Sequence, residues 1–434
     1  MPGLAQLRHD AIAIYDAAIQ GVQPRAALTE ALATCPRGER VRLIGLGKAA
    51  RAMAGAAVEY LDSLGIPLAG GLLVMPDEGP PSERRLIRLV GDHPLPGTRS
   101  AAAASALAIE AAQAVAGDEV WVLLSGGTSS LIGAPIAGIS ANEYLALLRV
   151  LGQAGLPIGD LNRVRKRFSQ WGAGRLAYAL RRAERVRLFV LSDVPGDDLG
   201  DIGSGPTMPD PSTATAIRQY LATLPAALLV PEFADRLLEQ VERGALPETP
   251  KPGDGFFDRV TTHLIGSNAT ARHHAARRAR DLGYAVVESG SLLTDGAAEA
   301  GRWIGRQIAT APPTAQAWIW GGETTVSLGA DHGLGGRCQE LALAAAQGLA
   351  AVTDPVVLLA GGTDGRDGPT DAAGALVDPQ SWGAIIEAGI DPEEALVRHN
   401  AYPAFAAIGG LLRRGLTGTN VMDVVIALSA GRDG

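Results

Sequence analysis

The chain has 434 residues, 47% of them hydrophobic and 19% charged, and its 46 acidic and 38 basic side chains give a net charge of −8. That length exceeds one ordinary hydrophobic core, so we expect two or three domains. The acidic balance, the lack of a basic block and an aromatic content of only 4% argue against a nucleic-acid-binding protein. No apolar run is long enough to cross a membrane, so we expect no membrane partner.

The first half of the chain alternates apolar, strand-like runs with helical stretches. Helices are predicted over residues 4–34, 49–64, 100–115 and 161–185, and strands over 41–46, 70–75, 86–90, 120–124 and 186–191. Apolar strands in such an alternation are typical of a parallel sheet covered by helices on both faces. This half is therefore predicted to be an α/β, doubly wound, Rossmann-like domain.

Residues 247–255, rich in proline and glycine, are the best candidate for a linker. The alternation restarts after them, with strands at 262–265, 284–287, 317–320 and 355–359 and helices at 269–282, 296–309 and 339–349. We therefore predict two domains, residues 1–245 and 256–434, each a mostly parallel sheet flanked by helices. Two cysteines suggest no disulfide framework and the N-terminal helix pattern has no signal-peptide core, so the cytoplasm is the default location.

Six of the strand-like runs are followed by loops rich in glycine, small polar residues and carboxylates. In open parallel sheets, ligands bind at the carboxyl ends of the strands. Glycine lets backbone N–H groups reach phosphate oxygens, aspartate can hold Mg²⁺, and lysine or arginine can neutralise transferred charge. The combination predicts a site that handles phosphate.

The first of these loops contains Gly45 and Gly47, which with Ala50 fit the relaxed dinucleotide fingerprint G-x-G-x-x-A. Strand-to-helix turns use glycine in any case, so a purely structural turn stays open. Lys48 is the unusual residue, because an ammonium group at a helix N-terminus is disfavoured unless an anion is bound. Its position favours capture of a phosphate or a carboxylate.

The loop SGGTSS, which follows the strand at 120–124, offers two glycines and four hydroxyls. These groups suit a phosphate nest or a site for a substrate carboxylate, and a structural turn would not need so many hydroxyls. The candidate binding residues are Ser125, Gly126, Gly127, Thr128 and Ser129. His93, in the loop DHPLPG, either faces this site or is simply exposed.

Three carboxylates follow the strand at 186–191 within six positions: Asp193, Asp197 and Asp198. Their mutual repulsion is relieved most easily by a divalent cation or a lysine, although a solvated turn would also accommodate them. Asp193 is nearest the strand end. We expect it to be either a metal ligand or the acceptor of a substrate hydroxyl proton.

The second half carries an arginine and another acidic loop. Arg337 precedes a predicted helix and suits bidentate capture of a phosphate or carboxylate, with a surface salt bridge as the simpler alternative. Gly362, Thr363 and Asp364 lie in a glycine-rich loop that is expected to face a nucleotide or a metal. A solvated acidic turn stays open for that loop.

Seven ordered motifs resemble those of the class II glycerate kinases, the glycerate 2-kinases whose C-terminal part carries the MOFRL domain. The motifs are LIGLGKAARAMA, SGGTSSL, LSDVPGDDLGDIGSGPT, GGETTV, GGRCQELALA, AGGTDGRDGPTDAAGA and TGTNVMD. The resemblance covers about residues 5–430. The resemblance implies ATP- and Mg²⁺-dependent phosphorylation of the 2-hydroxyl of D-glycerate, giving 2-phosphoglycerate and ADP. It also implies an active site in the cleft between two α/β domains.

The resemblance assigns roles to single residues. The family's lysine corresponds to Lys48, the arginine of its GGR motif to Arg337, and its strand-end aspartate to Asp193. These three are the expected catalytic residues. The expected metal ligands are Asp193, Asp197 and Asp364.

The glycine-rich and polar loops are expected to bind the cofactor. Their candidate residues are Gly45, Gly47, Ser125, Gly126, Gly127, Thr128, Ser129, Ser267, Asn268, Gly362, Thr363 and Asp364. The chain departs from the usual family spelling at Cys338 and Met422, each of which stands where the family has asparagine. These departures leave the fine substrate preference open.

Two other functions stay open. An NAD(P)H-dependent hydroxypyruvate reductase, a label that the family often carries, would use the G-x-G-x-x-A turn. However, the ribose-binding acid expected about 20 residues later is matched only by the rather late Asp77. A non-catalytic sugar-acid or nucleotide sensor would not need several carboxylates beside a lysine and an arginine. The oligomeric state also stays open, and a homodimer is compatible with the sequence.

Overall fold

The computed structural model describes residues 3–35, 38–78, 85–153, 156, 158–225, 230–310, 314–329 and 331–430. The chain divides into two compact units that are not contiguous in sequence. The larger unit comprises residues 24–265, and the split unit comprises residues 1–23 together with residues 266–434. The domain boundaries predicted from the sequence, at residues 245 and 256, stay a prediction.

The helices and strands alternate through most of the described chain. The helices are α1 (Leu4–Gln20), α2 (Pro24–Ala33), α3 (Ala50–Leu64), α4 (Thr98–Ala112), α5 (Thr128–Leu131), α6 (Ala141–Gln153), α7 (Ile158–Phe168), α8 (Arg175–Ala179), α9 (Ala214–Thr223), α10 (Glu232–Glu242), α11 (Asn268–Asp281), α12 (Ala297–Ala309), α13 (Arg337–Leu349), α14 (Ser381–Glu387), α15 (Pro392–Val397) and α16 (Ala401–Ile408). The strands are β1 (Val41–Leu46), β2 (Leu68–Met75), β3 (Ile87–Val90), β4 (Glu119–Leu124), β5 (Arg185–Leu191), β6 (Val260–Gly266), β7 (Ala285–Glu288), β8 (Ala315–Gly322), β9 (Val356–Gly362), β10 (Gly374–Val377), β11 (Leu411–Leu412) and β12 (Asp423–Ala430). None of the helices in these described ranges is long and apolar enough to cross a membrane.

The larger unit is built on a six-stranded sheet in the order β3-β2-β1-β4-β5-β6. The pairings β1–β2, β2–β3, β1–β4 and β4–β5 are parallel. Every residue of β1 and β4 is buried, as expected for strands covered by helices on both faces. The α/β prediction is confirmed. The strand order is that of doubly wound sheets, whose ligands bind where the order reverses, here between β1 and β4.

The split unit is built on a second six-stranded sheet in the order β11-β10-β9-β12-β8-β7. Among the strand pairings of the described residues in this sheet, only β7–β8 is parallel. Strand β12 runs antiparallel to both β8 and β9, and β10 runs antiparallel to β9 and β11. The sheet is therefore mixed rather than mostly parallel, which corrects the sequence-based expectation for this half. The reason is β12, a fully buried strand that inserts between β8 and β9. Strands β8 and β9 still run in the same direction, as the β-loop-α pattern predicts.

Helix α1 belongs to the split unit although it lies at the other end of the sequence. Its apolar face is fully buried at Leu7, Ala11, Ile14 and Ala18, positions that share one side of a helix. The buried Tyr15 hydroxyl also donates a 2.6 Å hydrogen bond to the carbonyl of Gly362, the last residue of β9. The helix is thus part of the core of the split unit.

Candidate active site

Three predicted site loops of the larger unit leave the sheet at one edge. In the parallel ladders, the last residue of β1 pairs with the last residue of β4, and β4 pairs in register with the end of β5. Lys48 follows β1, the loop 125–130 follows β4, and Asp193 follows β5 by two residues. The structure therefore brings the lysine, the hydroxyl-rich loop and the aspartate to adjacent strand ends, as the sequence predicts.

The turn after β1 is fixed by close packing against the SGGTSS loop. Gly47 has a φ of +117°, and a Cβ atom there would lie 2.3 Å from the Ser125 Oγ, so only glycine fits. The Lys48 N–H donates to the Gly126 carbonyl at 2.9 Å, and the Ala49 N–H donates to the Ser125 Oγ at 3.0 Å. The buried Ser125 hydroxyl and these backbone amides therefore already have hydrogen-bond partners within the protein. The side chain that this turn exposes to solvent is that of Lys48.

His93 lies beside Lys48 at the glycine of the second loop. A Cβ atom on Gly127, whose φ is +84°, would lie 3.2 Å from the His93 Cδ2 and 3.5 Å from the Lys48 Cγ. Burial and the neighbouring ammonium of Lys48 both lower the pKa of the His93 imidazole. The structure therefore places His93, whose side chain is exposed, beside the lysine at this edge.

The second half of the SGGTSS loop forms a hydroxyl cluster that includes a residue overlooked in the sequence. The Thr128 hydroxyl donates to the Ser125 carbonyl at 2.8 Å and stabilises the loop itself. The Ser129 Oγ lies 2.8 Å from the Ser204 Oγ and accepts a 3.3 Å hydrogen bond from the Arg165 Nη2. Arg165 lies on α7, within a base-rich stretch that sequence patterns showed only as a helix.

The acidic loop after β5 places its carboxylates in different surroundings. Asp193 is partly buried, and Asp197 adopts a φ of +57° with its N–H bonded to the Val194 carbonyl. Asp198 accepts a 2.7 Å hydrogen bond from the Gly200 N–H and is exposed. Within the described ranges, no group of three or more histidine, cysteine, aspartate or glutamate side chains could hold a metal ion.

In the split unit, Arg337 is held by two acids. It is the first residue of α13, and its guanidinium pairs bidentately with Asp423, at 2.6 Å for Nε–Oδ2 and 3.1 Å for Nη2–Oδ1. Its Nη1 pairs with the carboxylate of Glu323. Asp423 is the buried first residue of β12, and both acids raise the Arg337 pKa. Asp423 is the last residue of the motif TGTNVMD, and no local pattern in the sequence marks it as the partner of Arg337.

Asp367 fixes the helix start that carries Arg337. Its two carboxylate oxygens accept hydrogen bonds from the N–H groups of Cys338 and Gln339, at 3.0 and 2.8 Å. A Cβ atom on Gly336 would lie 2.3 Å from the Asp367 Cγ, so glycine is required at the helix cap. Burial and the nearby Asp423 carboxylate raise the Asp367 pKa to about 7.

This raised pKa leads to an expected pH dependence of stability. The folded protein keeps the Asp367 proton up to about pH 7, whereas the unfolded chain loses it near pH 4. The contribution of Asp367 to the free energy of unfolding is therefore greatest below pH 4 and falls by roughly 4 kcal/mol as the pH rises to 7. Urea unfolding of the protein and of an Asp367→Asn variant between pH 4.5 and 8 should show the difference between them changing in that window. A difference that stays constant would contradict this assignment.

The predicted nucleotide loop around Asp364 is closely tied to β12. Thr363 donates from Oγ1 to the Met422 carbonyl at 2.6 Å and accepts at the same atom from the Val421 N–H at 2.9 Å. Asp364 is half-buried and accepts a 2.9 Å hydrogen bond from the Arg366 N–H. Thr363 therefore ties the end of β9 to the segment just before β12. Along the chain, Asp364 is the acidic residue of this loop that follows β9 most closely.

Ser267 and Asn268 organise the start of α11. The Ser267 Oγ accepts from the Thr270 N–H at 3.4 Å, which is an N-cap interaction. The buried Asn268 donates from Nδ2 to the carbonyls of Val421 and Asp423, both at 2.9 Å. These contacts hold the beginning of β12 in place, and a contact of this turn with the nucleotide stays a prediction.

The two departures from the family spelling lie next to these residues. Met422 is buried with a φ of +69°, a left-handed conformation that asparagine tolerates better than an unbranched apolar side chain does. Cys338 is 2% exposed, and burial together with Asp423 raises the pKa of its thiol. Asparagine at residue 422 would relieve backbone strain, so methionine there carries a cost in stability.

The fold is that of an α/β enzyme, with a lysine and a hydroxyl-rich loop at strand ends of the larger unit and an arginine at a helix start of the split unit. The chain belongs to the glycerate kinase family. A domain of unknown function (DUF4147) matches residues 10–239, and the MOFRL family matches residues 316–423. The resemblance seen in the sequence is thereby confirmed.

Individual relatives cover nearly the whole chain. A D-glycerate 2-kinase of Thermotoga maritima is 36% identical over 97% of this chain and 98% of its own length. A protein of Agrobacterium vitis named putative hydroxypyruvate reductase is 38% identical over 95% of this chain and 92% of its own. The crystal structure of a Thermotoga maritima glycerate kinase superposes with a TM-score of 0.84 and 35% identity, covering 98% of this chain and 99% of that one.

Proposed function

We propose that the protein is an ATP-dependent kinase that phosphorylates the 2-hydroxyl of D-glycerate and releases 2-phosphoglycerate and ADP. The observation that carries the proposal is the gathering of Lys48, the SGGTSS loop and Asp193 at adjacent strand ends. The similarity to glycerate kinases over nearly the full chain supports the same activity. We also propose the cytoplasm as its location, and a homodimer stays a prediction.

Phosphoryl transfer depends mainly on positioning and on neutralising charge, and these residues suit both tasks. The Lys48 ammonium and the Arg337 guanidinium stabilise the negative charge of the transferred phosphoryl group. Asp193 either orients the 2-hydroxyl and accepts its proton or, together with Asp197 or Asp364, holds Mg²⁺. The hydroxyls of the SGGTSS loop bind an anionic group of a substrate.

Carboxylate oxygens are the ligands that Mg²⁺ prefers, so the acidic loops fit the ion that accompanies ATP. Asp193 and Asp197 are the proposed ligands in the larger unit, and Asp364 is the proposed ligand in the split unit. When bound, the ion neutralises phosphate charge. These ligands are proposals that rest on the donor chemistry of the side chains.

The structure offers an argument against the reductase alternative. In a dinucleotide-binding turn, backbone N–H groups at the helix start bind the pyrophosphate. Here the N–H groups of Gly47, Lys48 and Ala49 donate to the Val74 carbonyl, the Gly126 carbonyl and the Ser125 Oγ. Those amides are occupied within the protein, so the G-x-G-x-x-A turn is not arranged as a pyrophosphate cradle.

The proposed activity is tested by a coupled ADP-release assay with D-glycerate, ATP and Mg²⁺, with the product resolved by phosphorus NMR. We expect ADP formation that requires D-glycerate and a product phosphorylated at the 2-position. A reaction without D-glycerate controls for ATP hydrolysis. Oxidation of NADPH with hydroxypyruvate, together with no glycerate-dependent ADP, would overturn the kinase in favour of the reductase.

Replacing Lys48 by alanine is expected to lower kcat at least ~10²-fold, because the variant loses a charge that stabilises the transition state. The side chain is exposed, so the melting temperature should change little. Steady-state kinetics at saturating ATP and D-glycerate measure the effect, and Lys48→Arg, which keeps the charge, is the matched control. Full turnover in Lys48→Ala would show that the ammonium has no such role.

A further inference from the structure

The guanidinium of Arg165 is largely removed from solvent, and not all of its N–H groups have a hydrogen-bond partner. Its Nη2 donates to the Ser129 Oγ at 3.3 Å, whereas its Nε is buried and has no hydrogen-bond partner among the described residues. Burial lowers the Arg165 pKa, and the negative charges of Asp193 and Asp201 partly offset that effect. Among the side chains that the structure describes, Arg165 forms no ion pair with a carboxylate. A guanidinium held in this way is suited to an anion that arrives with a ligand.

Ser204, one of the two serines next to Arg165, has a strained backbone. Ser204 has a φ of +67°, in the left-handed region that residues other than glycine rarely adopt. This conformation places the Ser204 Oγ 2.8 Å from the Ser129 Oγ. Backbone strain of this kind is concentrated at functional sites, where the surrounding structure maintains it. The result is two hydroxyls and one guanidinium that converge on the same place.

We propose that Arg165, Ser129 and Ser204 bind the carboxylate group of the hydroxy-acid substrate. The proposal rests on the proposed glycerate kinase function and extends it to recognition of the acid group. The Nε and Nη2 groups of arginine form one planar edge that matches the two oxygens of a carboxylate. The acids Asp193 and Asp201 lie near enough to limit the positive charge, which favours a singly charged carboxylate over a phosphate.

The test compares D-glycerate with its neutral amide analogue, D-glyceramide, as substrate or competitive inhibitor. In Arg165→Gln, kcat/KM for D-glycerate should fall at least ~10²-fold, because a site built for a charged group loses its partner. The KM for ATP and the constants for D-glyceramide should stay within about threefold of the parent protein. Arg163→Gln is the matched control, since Arg163 lies on the same helix, is exposed and pairs with Asp160.

Equal losses for D-glycerate and D-glyceramide in Arg165→Gln would show a structural role and overturn the proposal. If the parent protein formed no glycerate-dependent ADP, the proposed function would fail, and calorimetric binding of D-glycerate alone would decide the inference separately. Loss of that binding in Arg165→Gln but not in Arg163→Gln would support the carboxylate site. Equal binding by all three proteins, or none by the parent, would refute it.

A second variant keeps the test independent of folding defects. Ser204→Gly removes the hydroxymethyl side chain but suits the positive φ, so its melting temperature should not fall. Its KM for D-glycerate should nevertheless increase about three- to tenfold, as expected for the loss of one hydrogen bond. An unchanged KM would remove Ser204 from the proposed site.

Discussion

Replacing Arg337 by alanine is expected to lower kcat at least ~10²-fold, with the loss seen at saturating ATP and D-glycerate. The bidentate pair with Asp423 and the contact with Glu323 fix the guanidinium in one orientation. The carboxylate of Asp367 holds the first N–H groups of α13, so the helix start cannot easily adjust. A group fixed in this way stabilises developing charge without reorganisation.

The control for Arg337 must separate catalysis from folding. Arg337→Ala leaves the buried Asp423 without its guanidinium, and an unpaired buried charge destabilises a protein by about 3–5 kcal/mol. The double variant Arg337→Ala with Asp423→Asn removes that uncompensated charge and should recover much of the melting temperature. Its kcat should stay low. Recovery of turnover in the double variant would mean that Arg337 acts only on stability.

Deleting residues 1–23 is expected to unfold the split unit while leaving the larger unit folded. Helix α1 buries Leu7, Ile14 and Tyr15 completely, and each large apolar side chain contributes about 1.5–3 kcal/mol through burial. Their sum approaches the whole stability of an ordinary domain, about 5–15 kcal/mol. Circular dichroism melts and limited proteolysis of the full and shortened chains measure the effect.

A milder variant shows whether the loss comes from packing. Tyr15→Phe keeps the ring and removes only the hydroxyl that donates to Gly362, so it should cost about 1 kcal/mol. A synthetic peptide of residues 1–23 added to the shortened chain should restore protection of residues 266–430 from protease. A shortened chain with an unchanged melting profile would show that α1 is not needed by this unit.

The parts of the site that sequence analysis found depend on local patterns. The strand predicted at 41–46 is observed as Val41–Leu46, and the strand predicted at 186–191 as Arg185–Leu191. Parallel strands place their carboxyl ends at one edge, so Lys48, the SGGTSS loop and Asp193 could be grouped without coordinates. Each strand and the loop that follows it can be recognised from an apolar run and a glycine-rich turn within about ten residues.

The parts that were missed depend on contacts between distant residues. Arg337 and Asp423 are 86 positions apart, and no local pattern indicates that this arginine pairs with that acid. The same holds for β12, a buried apolar run whose place between β8 and β9 follows only from the sheet order. For Arg165 the sequence predicts only a helix. The contact that makes this residue a site candidate is with Ser129, which lies on a distant loop. Spacing along the chain cannot identify such partners.

The position of α1 has a consequence for protein synthesis. The helix leaves the ribosome well before its partners, because Tyr284, which binds Asp10, is 274 residues later and Gly362, which binds Tyr15, is 347 residues later. At translation rates of roughly 5–20 residues per second, the helix waits on the order of 15–70 seconds for these partners. During that interval residues 24–265 are completed and can fold, while the apolar face of α1 is exposed to solvent. In the nascent chain, helix α1 is therefore an early binding site for chaperones.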